Sequence, residues 1–151
     1  MTDLTQAADI VERFKKMPGG LLECLHAVQA AFGYVPKETV DIMADGFNIS
    51  RAEVHGVISY YHDFRTSPSG RTVVRVCQAE ACQAMGSREL TDRIVDLLGL
   101  NVGETSKDYT LDAVYCFGNC ALSPNVEING TLHPRVSSDN FEKLVKAGGA
   151  S

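Results

Sequence analysis

Four of the five cysteines fall in two close pairs, Cys77 and Cys82 in "CQAEAC" and Cys116 and Cys120 in "CFGNC". Thiolates are soft, strongly donating ligands, and four of them complete the shell of a zinc ion or hold the irons of an iron-sulfur cluster. Structural zinc sites favour C-x2-C knuckles and redox dithiols favour C-x-x-C, whereas the spacings here leave four and three residues between the thiols. An iron-sulfur centre is therefore the leading reading. A zinc-stabilised interaction module and packed, unliganded thiols remain the alternatives. The fifth cysteine, Cys24 in "LLECLHAVQ", stands alone and reads as a small apolar core residue.

Both pairs begin where a strand is predicted to end, Cys77 after "TVVRV" and Cys116 after "AVY". Two neighbouring strands would deliver both loops to one edge of a sheet. Gly118 supplies conformational freedom in the tighter loop. Extra charge on a buried cluster is unfavourable unless N–H groups point at its sulfurs, and Ala81, Gly118, Asn119 and Ala121 are the expected donors. His26, His55 and His62 would suit a Rieske-type centre, but a complete set of four cysteines removes the need for them. His133, beside Pro134, reads as exposed, and Tyr60 and Tyr61 read as core aromatics.

The elements that must position these thiols divide into two halves. Residues 1–66 read as a small helical bundle. In "TQAADIVERFKKM" Ala7, Ile10, Val11 and Phe14 recur at helical spacing, with Thr5 as cap. "GGLLECLHAVQAAF" places Leu21, Leu22, Leu25, Val28, Ala31 and Phe32 on one face and stops at Gly33. "PKETVDIMADGF" has Pro36 near its first turn and Gly46 at its end, and "SRAEVHGVISYYHDF" opens with Ser50 and Glu53 in the capping-box pattern. Residues 67–151 change period. "RTVVRVCQ" and "YTLDAVYCFG" read as strands, and "SRELTDRIVDLLG" as a helix capped by Ser87 and ended by Gly99. "NVEINGTLHP" reads as a hairpin turning at Asn129-Gly130, and "SSDNFEKLVKAGG" as a closing helix. The fold class is α+β, a helical bundle followed by helices on a mixed sheet, with "RTSPSGR" as the link.

A chain of 151 residues buries about 70% of its surface and needs no disulfide to fold. Its opening residues mix acids and bases and resemble neither a signal peptide nor a membrane span, which points to the cytoplasm, where thiols stay reduced. The first half carries 6 basic and 9 acidic residues and the second 8 and 10, so neither offers a basic face for nucleic acid. No phosphate-binding glycine loop follows a strand.

With its spacing of C-x4-C and then C-x3-C, in "VCQAEACQAMGS" and "YCFGNCALSPNVEING", the sequence resembles the thioredoxin-like 2Fe-2S subunits that accompany the flavoprotein of respiratory complex I, NAD-linked hydrogenases and NAD-dependent formate dehydrogenases. "LLECLHAVQAAFGYVPKETV" and "EVHGVISYYHDF" resemble the helical N-terminal part of that family, so the likeness covers nearly the whole chain. "CQAEACQAMG" and "CALSP" look most like the gamma subunit of soluble, molybdenum-containing formate dehydrogenases. The resemblance implies a thioredoxin-like second domain and one 2Fe-2S cluster on Cys77, Cys82, Cys116 and Cys120, each pair holding one iron. It further implies an electron-transfer subunit without catalysis of its own. Its partners would be a flavin- and NAD-binding iron-sulfur subunit and a larger molybdenum-containing catalytic subunit. The equivalent subunit of complex I or of a hydrogenase, and a stand-alone ferredoxin, are the alternatives.

Overall fold

In the computed structural model, residues 4–148 are described, and the ends that read as disordered from sequence fall mostly outside them. The chain divides between Pro68 and Ser69 into two compact units. Each has a buried cluster drawn from its own residues.

The first unit contains helices α1 (Leu4–Phe14), α2 (Gly20–Phe32), α3 (Thr39–Phe47) and α4 (Arg51–Tyr60). Ile10 and Val11 of α1, Leu25 and Val28 of α2, Val40 and Met43 of α3 and Val54 and Ile58 of α4 fill its core. Cys24 is fully buried there, and burial pushes its thiol up to about 11, only partly opposed by the Arg13 charge. Such a thiol is a packing group. Several sequence expectations shift. Thr5 lies inside α1. Gly46 lies inside α3, and the left-handed stop is Asn48, at φ 53. Ala31 is exposed because the α2 stripe centres on Cys24, Leu25 and Val28. Gln29 ties the segment after α4 back to α2: its amide donates to the Asp63 carbonyl at 2.8 Å and accepts from the Arg65 N–H at 2.7 Å. Tyr60 and Tyr61 are not core residues. They lie at the end of α4, 75% and 44% exposed, stacked edge to face.

Helix α4 opens with the expected capping box. The Glu53 N–H donates to Ser50 Oγ at 3.2 Å, and Glu53 Oε2 accepts from the Ser50 N–H at 2.8 Å. Ser50→Ala should cost about 1 kcal/mol of stability in chemical denaturation. Hydrogen bonds from the Ser50 backbone and then its hydroxyl hold the Glu53 carboxyl below its ordinary value of 4.5. The folded state then binds that proton less readily than the unfolded chain, so the contribution is complete above the ordinary value and is lost as pH falls through the lowered one. The acid limb of the pH–stability curve should flatten only in part in Ser50→Ala, which keeps the backbone bond, and fully in Glu53→Gln; an unchanged limb in Glu53→Gln would count against the coupling.

The second unit is a five-stranded sheet in the order β2-β3-β1-β4-β5. Its strands are β1 (Thr72–Cys77), β2 (Glu104–Thr105), β3 (Tyr109–Val114), β4 (Val126–Ile128) and β5 (Thr131–His133). Strands β1 and β3 are parallel, and every other pairing is antiparallel. Val74 sits in register with Leu111 and Ile128 on one face, which α6 (Ser87–Leu98) and α7 (Ser138–Gly148) cover with Leu90, Ile94, Phe141 and Val145. On the other face Arg75 pairs with Glu127, Nε to Oε1 at 2.7 Å. The β4–β5 turn has Asn129 at φ 48 and Gly130 at φ 82, as two-residue hairpins require.

Four features differ from the sequence expectation. Residues Glu80–Ala84 form a short helix, α5, where a loop was expected, and the two-residue strand β2 precedes β3. Gly86, not Ser87, caps α6; Ser87 is buried inside it and donates its hydroxyl hydrogen to the Cys77 carbonyl. The link also ends sooner than its composition suggests. The Gly70 N–H donates to Thr110 Oγ1 at 2.8 Å, and a Cβ at Gly70 would lie 2.5 Å from the Tyr109 carbonyl carbon, so the chain has already joined the sheet there.

Candidate metal centre

Parallel neighbours end at the same edge of a sheet, and in β1 and β3 the last residues, Cys77 and Val114, are in register. Cys77 is the end of β1, Cys82 sits in α5, Cys116 follows β3 by one intervening residue, and Cys120 opens a 3-10 turn over Cys120–Leu122. The parallel pairing thus sets both thiol pairs that the spacing singled out at one sheet edge. None is in a disulfide.

The two pairs have different surroundings. Cys77 and Cys82 are 2% and 1% exposed, while Cys116 and Cys120 are open to solvent. Burial raises the Cys77 thiol, partly opposed by the Ala79 N–H, and a smaller lowering contribution comes from the Phe117 N–H. Burial also acts upward on Cys82, but hydrogen bonding with the Ser123 hydroxyl, the Asn125 backbone, Cys77 and the Asn125 side chain outweighs it, leaving this thiol below its ordinary value. Cys120 is raised by its hydrogen bond with Cys116 and then by the charge of that neighbour, with a lesser contribution from Cys82.

Cys116 and Cys120 place their sulfurs 3.5 Å apart. A disulfide would hold them at about 2.05 Å. Two thiolates about 2.3 Å from one tetrahedral metal would lie about 3.8 Å apart, so the observed spacing is close to that of co-ligands. Among the described residues no three His, Cys, Asp or Glu side chains converge as they would around a single ion. The donors stand as two pairs, Cys77 with Cys82 and Cys116 with Cys120.

The backbone around the second pair is unusual. Cys116 has φ 132, a region that residues with a side chain rarely adopt, and Gly118 has φ 76. This turn aims the Gly118 N–H at the Cys116 sulfur, 3.2 Å away. The ring of Phe117 lies over the Arg75 guanidinium, 6.0 Å from its centroid, and so rests on the Arg75–Glu127 pair.

Of the four expected amide donors, Gly118 faces a sulfur, whereas Ala81 lies inside α5 and Ala121 inside the 3-10 turn. Asn119 instead bonds Asn125 through its carbonyl and its side chain. Reasoning from sequence missed Ala79, Phe117, Ser123 and Asn125. The polar "SPN", two residues beyond the second pair, was the one signal available for the last two. His26, His55 and His62 are exposed residues of the helical unit, and His133 on β5 is half-buried rather than exposed. Among the described residues no helix is long and apolar enough to cross a membrane.

Residues 7–148 match the family described as thioredoxin-like 2Fe-2S ferredoxins. The NADP-reducing hydrogenase subunit HndA of Solidesulfovibrio fructosivorans is 28% identical over 142 residues, covering 93% of this chain and 83% of that protein. An NADH-quinone oxidoreductase subunit of Pseudomonas aeruginosa is 32% identical over 128 residues, covering 83% and 77%. The fold is shared with a chain of the NAD+-reducing NiFe hydrogenase in its air-oxidised state, at a TM-score of 0.74 and 20% identity. That match covers 87% of this chain but 23% of the hydrogenase chain.

Proposed function

The chain belongs to the thioredoxin-like 2Fe-2S ferredoxin family, and from that premise we propose that it is a one-electron carrier subunit of an NAD-linked oxidoreductase. The observation that carries the reading is the delivery of two thiol pairs to one sheet edge, with the outer pair at co-ligand distance. Cys77 and Cys82 would hold one iron and Cys116 and Cys120 the other. When bound, a 2Fe-2S cluster supplies reversible one-electron chemistry and no substrate activation. The protein's part is electrostatic and geometric. Burial of Cys77 and Cys82 excludes water from one end, and the N–H groups of Ala79, Phe117 and Gly118 face thiol sulfurs. The exposed pair provides the side by which an electron enters or leaves.

The partner in this reading is a flavin- and NAD-binding protein, docked on the helical unit. Relatives named as components of NADH-quinone oxidoreductase and of a hydrogenase favour those two kinds of complex. The narrower expectation of a formate dehydrogenase with a molybdenum subunit rests on "CQAEACQAMG" and "CALSP" alone. Identifying the proteins that co-purify with the tagged chain separates these cases.

Iron and sulfide analysis tests the carrier itself. We expect about two irons and two sulfides per chain, visible absorption, and uptake of one electron in a reductive titration. A colourless zinc protein, or a two-electron titration without iron, would exclude the reading.

A further inference from the structure

The ligand assignment leaves two buried polar residues without a role, Ser123 and Asn125, 7% and 2% exposed. Both reach Cys82 across more than forty residues of sequence. The Cys82 thiol donates to Ser123 Oγ at 3.4 Å, and the Ser123 hydroxyl donates onward to the Cys120 carbonyl at 2.7 Å. Asn125 is fixed more firmly. Its Nδ2 donates to the Asn119 carbonyl at 2.8 Å, and its Oδ1 accepts from Asn119 Nδ2 at 2.8 Å. The same Nδ2 lies 3.7 Å from the Cys82 sulfur and carries a second hydrogen to offer it.

A metal-bound thiolate has no hydrogen to give. With Cys82 in that form, the single Ser123 hydroxyl hydrogen has two acceptors within reach, the Cys120 carbonyl and the Cys82 sulfur. Hydrogen bonds to charged acceptors are roughly twice as strong as neutral ones, so the choice between the two depends on how much negative charge the sulfur bears. Water can answer added charge at the exposed pair but not at Cys82, which is 1% exposed.

Resting on the reading that the four thiols hold a 2Fe-2S cluster, we propose that Ser123 is an electron-responsive hydrogen-bond switch that sets the reduction potential. In the oxidised form its hydroxyl donates to the Cys120 carbonyl; in the reduced form it turns to the Cys82 sulfur, beside the fixed Asn125 donor. No covalent bond changes, and the proton stays on Ser123 Oγ. The electron comes from a one-electron donor such as a reduced flavin. Ser123 is thus a positioning residue, stabilising the reduced form more than the oxidised one.

The test compares the full-length wild type with Ser123→Ala and Ser123→Thr. Iron and sulfide content is measured first, because a wild type without about two of each defeats the ligand reading and the switch with it. With normal content, dithionite titration of Ser123→Ala should show the equilibrium moved about tenfold toward the oxidised form, a midpoint about 59 mV lower for one electron, and Ser123→Thr should restore it. An unmoved midpoint at equal iron content overturns the switch alone. Should Ser123→Ala fail to hold iron, the wild type decides by itself. Its reduced-minus-oxidised infrared spectrum should show a backbone carbonyl band rising in frequency as Cys120 loses its donor, and absence of that band overturns the proposal.

Discussion

Cys116→Ala should strip most of the iron and the visible absorption from the purified protein, while Cys24→Ser should leave both intact. Under the proposed assignment each iron has two protein thiolates, so the loss of one opens that metal to solvent on the already exposed side of the site. Cys116 is the sharper choice for a second reason. Its φ of 132 is strained for any residue with a side chain, and such strain persists where the surroundings over-determine it. Alanine keeps the strain and deletes the sulfur, so loss of iron reports the ligand and not a relaxed loop. Cys77→Ser, Cys82→Ser and Cys120→Ser should behave alike. Cys24→Ser instead places a hydroxyl among the apolar side chains of the helical core, at a cost of about 1–3 kcal/mol in stability. Near-stoichiometric iron and sulfide retained in Cys116→Ala would defeat the assignment.

What sequence made legible here was local. Val74 and Val76 alternate into the sheet face, Ser50 and Glu53 close their box, and Asn129-Gly130 turns the hairpin, because each depends on residues within a few positions. The thiols could be placed at one sheet edge for the same reason, each pair being tied to the end of its own strand. Three things were not legible. Five residues are too few to show helical periodicity, so α5 was read as loop. Ser87 looked like a cap because its neighbourhood resembles one, whereas its hydroxyl is taken by the carbonyl of Cys77, ten residues earlier. The Cys82 partners, Ser123 and Asn125, come into range only once β4 pairs with β1, a contact between distant segments that no local pattern encodes. Tyr60 and Tyr61 failed differently. Aromatic residues at a helix end suit a core or an interface equally well, and only the observed exposure separates the two.

A chain beginning at Ser69 should remain soluble and coloured with its normal iron content, yet should no longer co-purify with the proposed flavin-binding partner. All four thiols and the residues bonded to them lie in the second unit, whose buried cluster, from Val74 to Val145, uses none of the first 68 residues. Removal of the helices therefore deletes no ligand and no member of that core. What it deletes is surface. Stable complexes bury roughly 1,200–2,000 Å² in total, and a small electron-transfer domain alone tends toward transient contact. The helical unit also carries Tyr60 at 75% exposure beside Tyr61, on a shallow apolar groove with Leu21, Ile49 and Val57. Exposed aromatics with one polar end are enriched among the residues that dominate binding energy. Steady attachment matters because an electron passes to a flavin only when the distance between the two centres is held short. The opposite outcome is equally readable: if the fragment aggregates or cannot retain iron, the helices complete the fold of the second unit instead. Tyr60→Ser in the full chain then serves as the finer probe, since docking requires weaker capture of the partner at unchanged iron content.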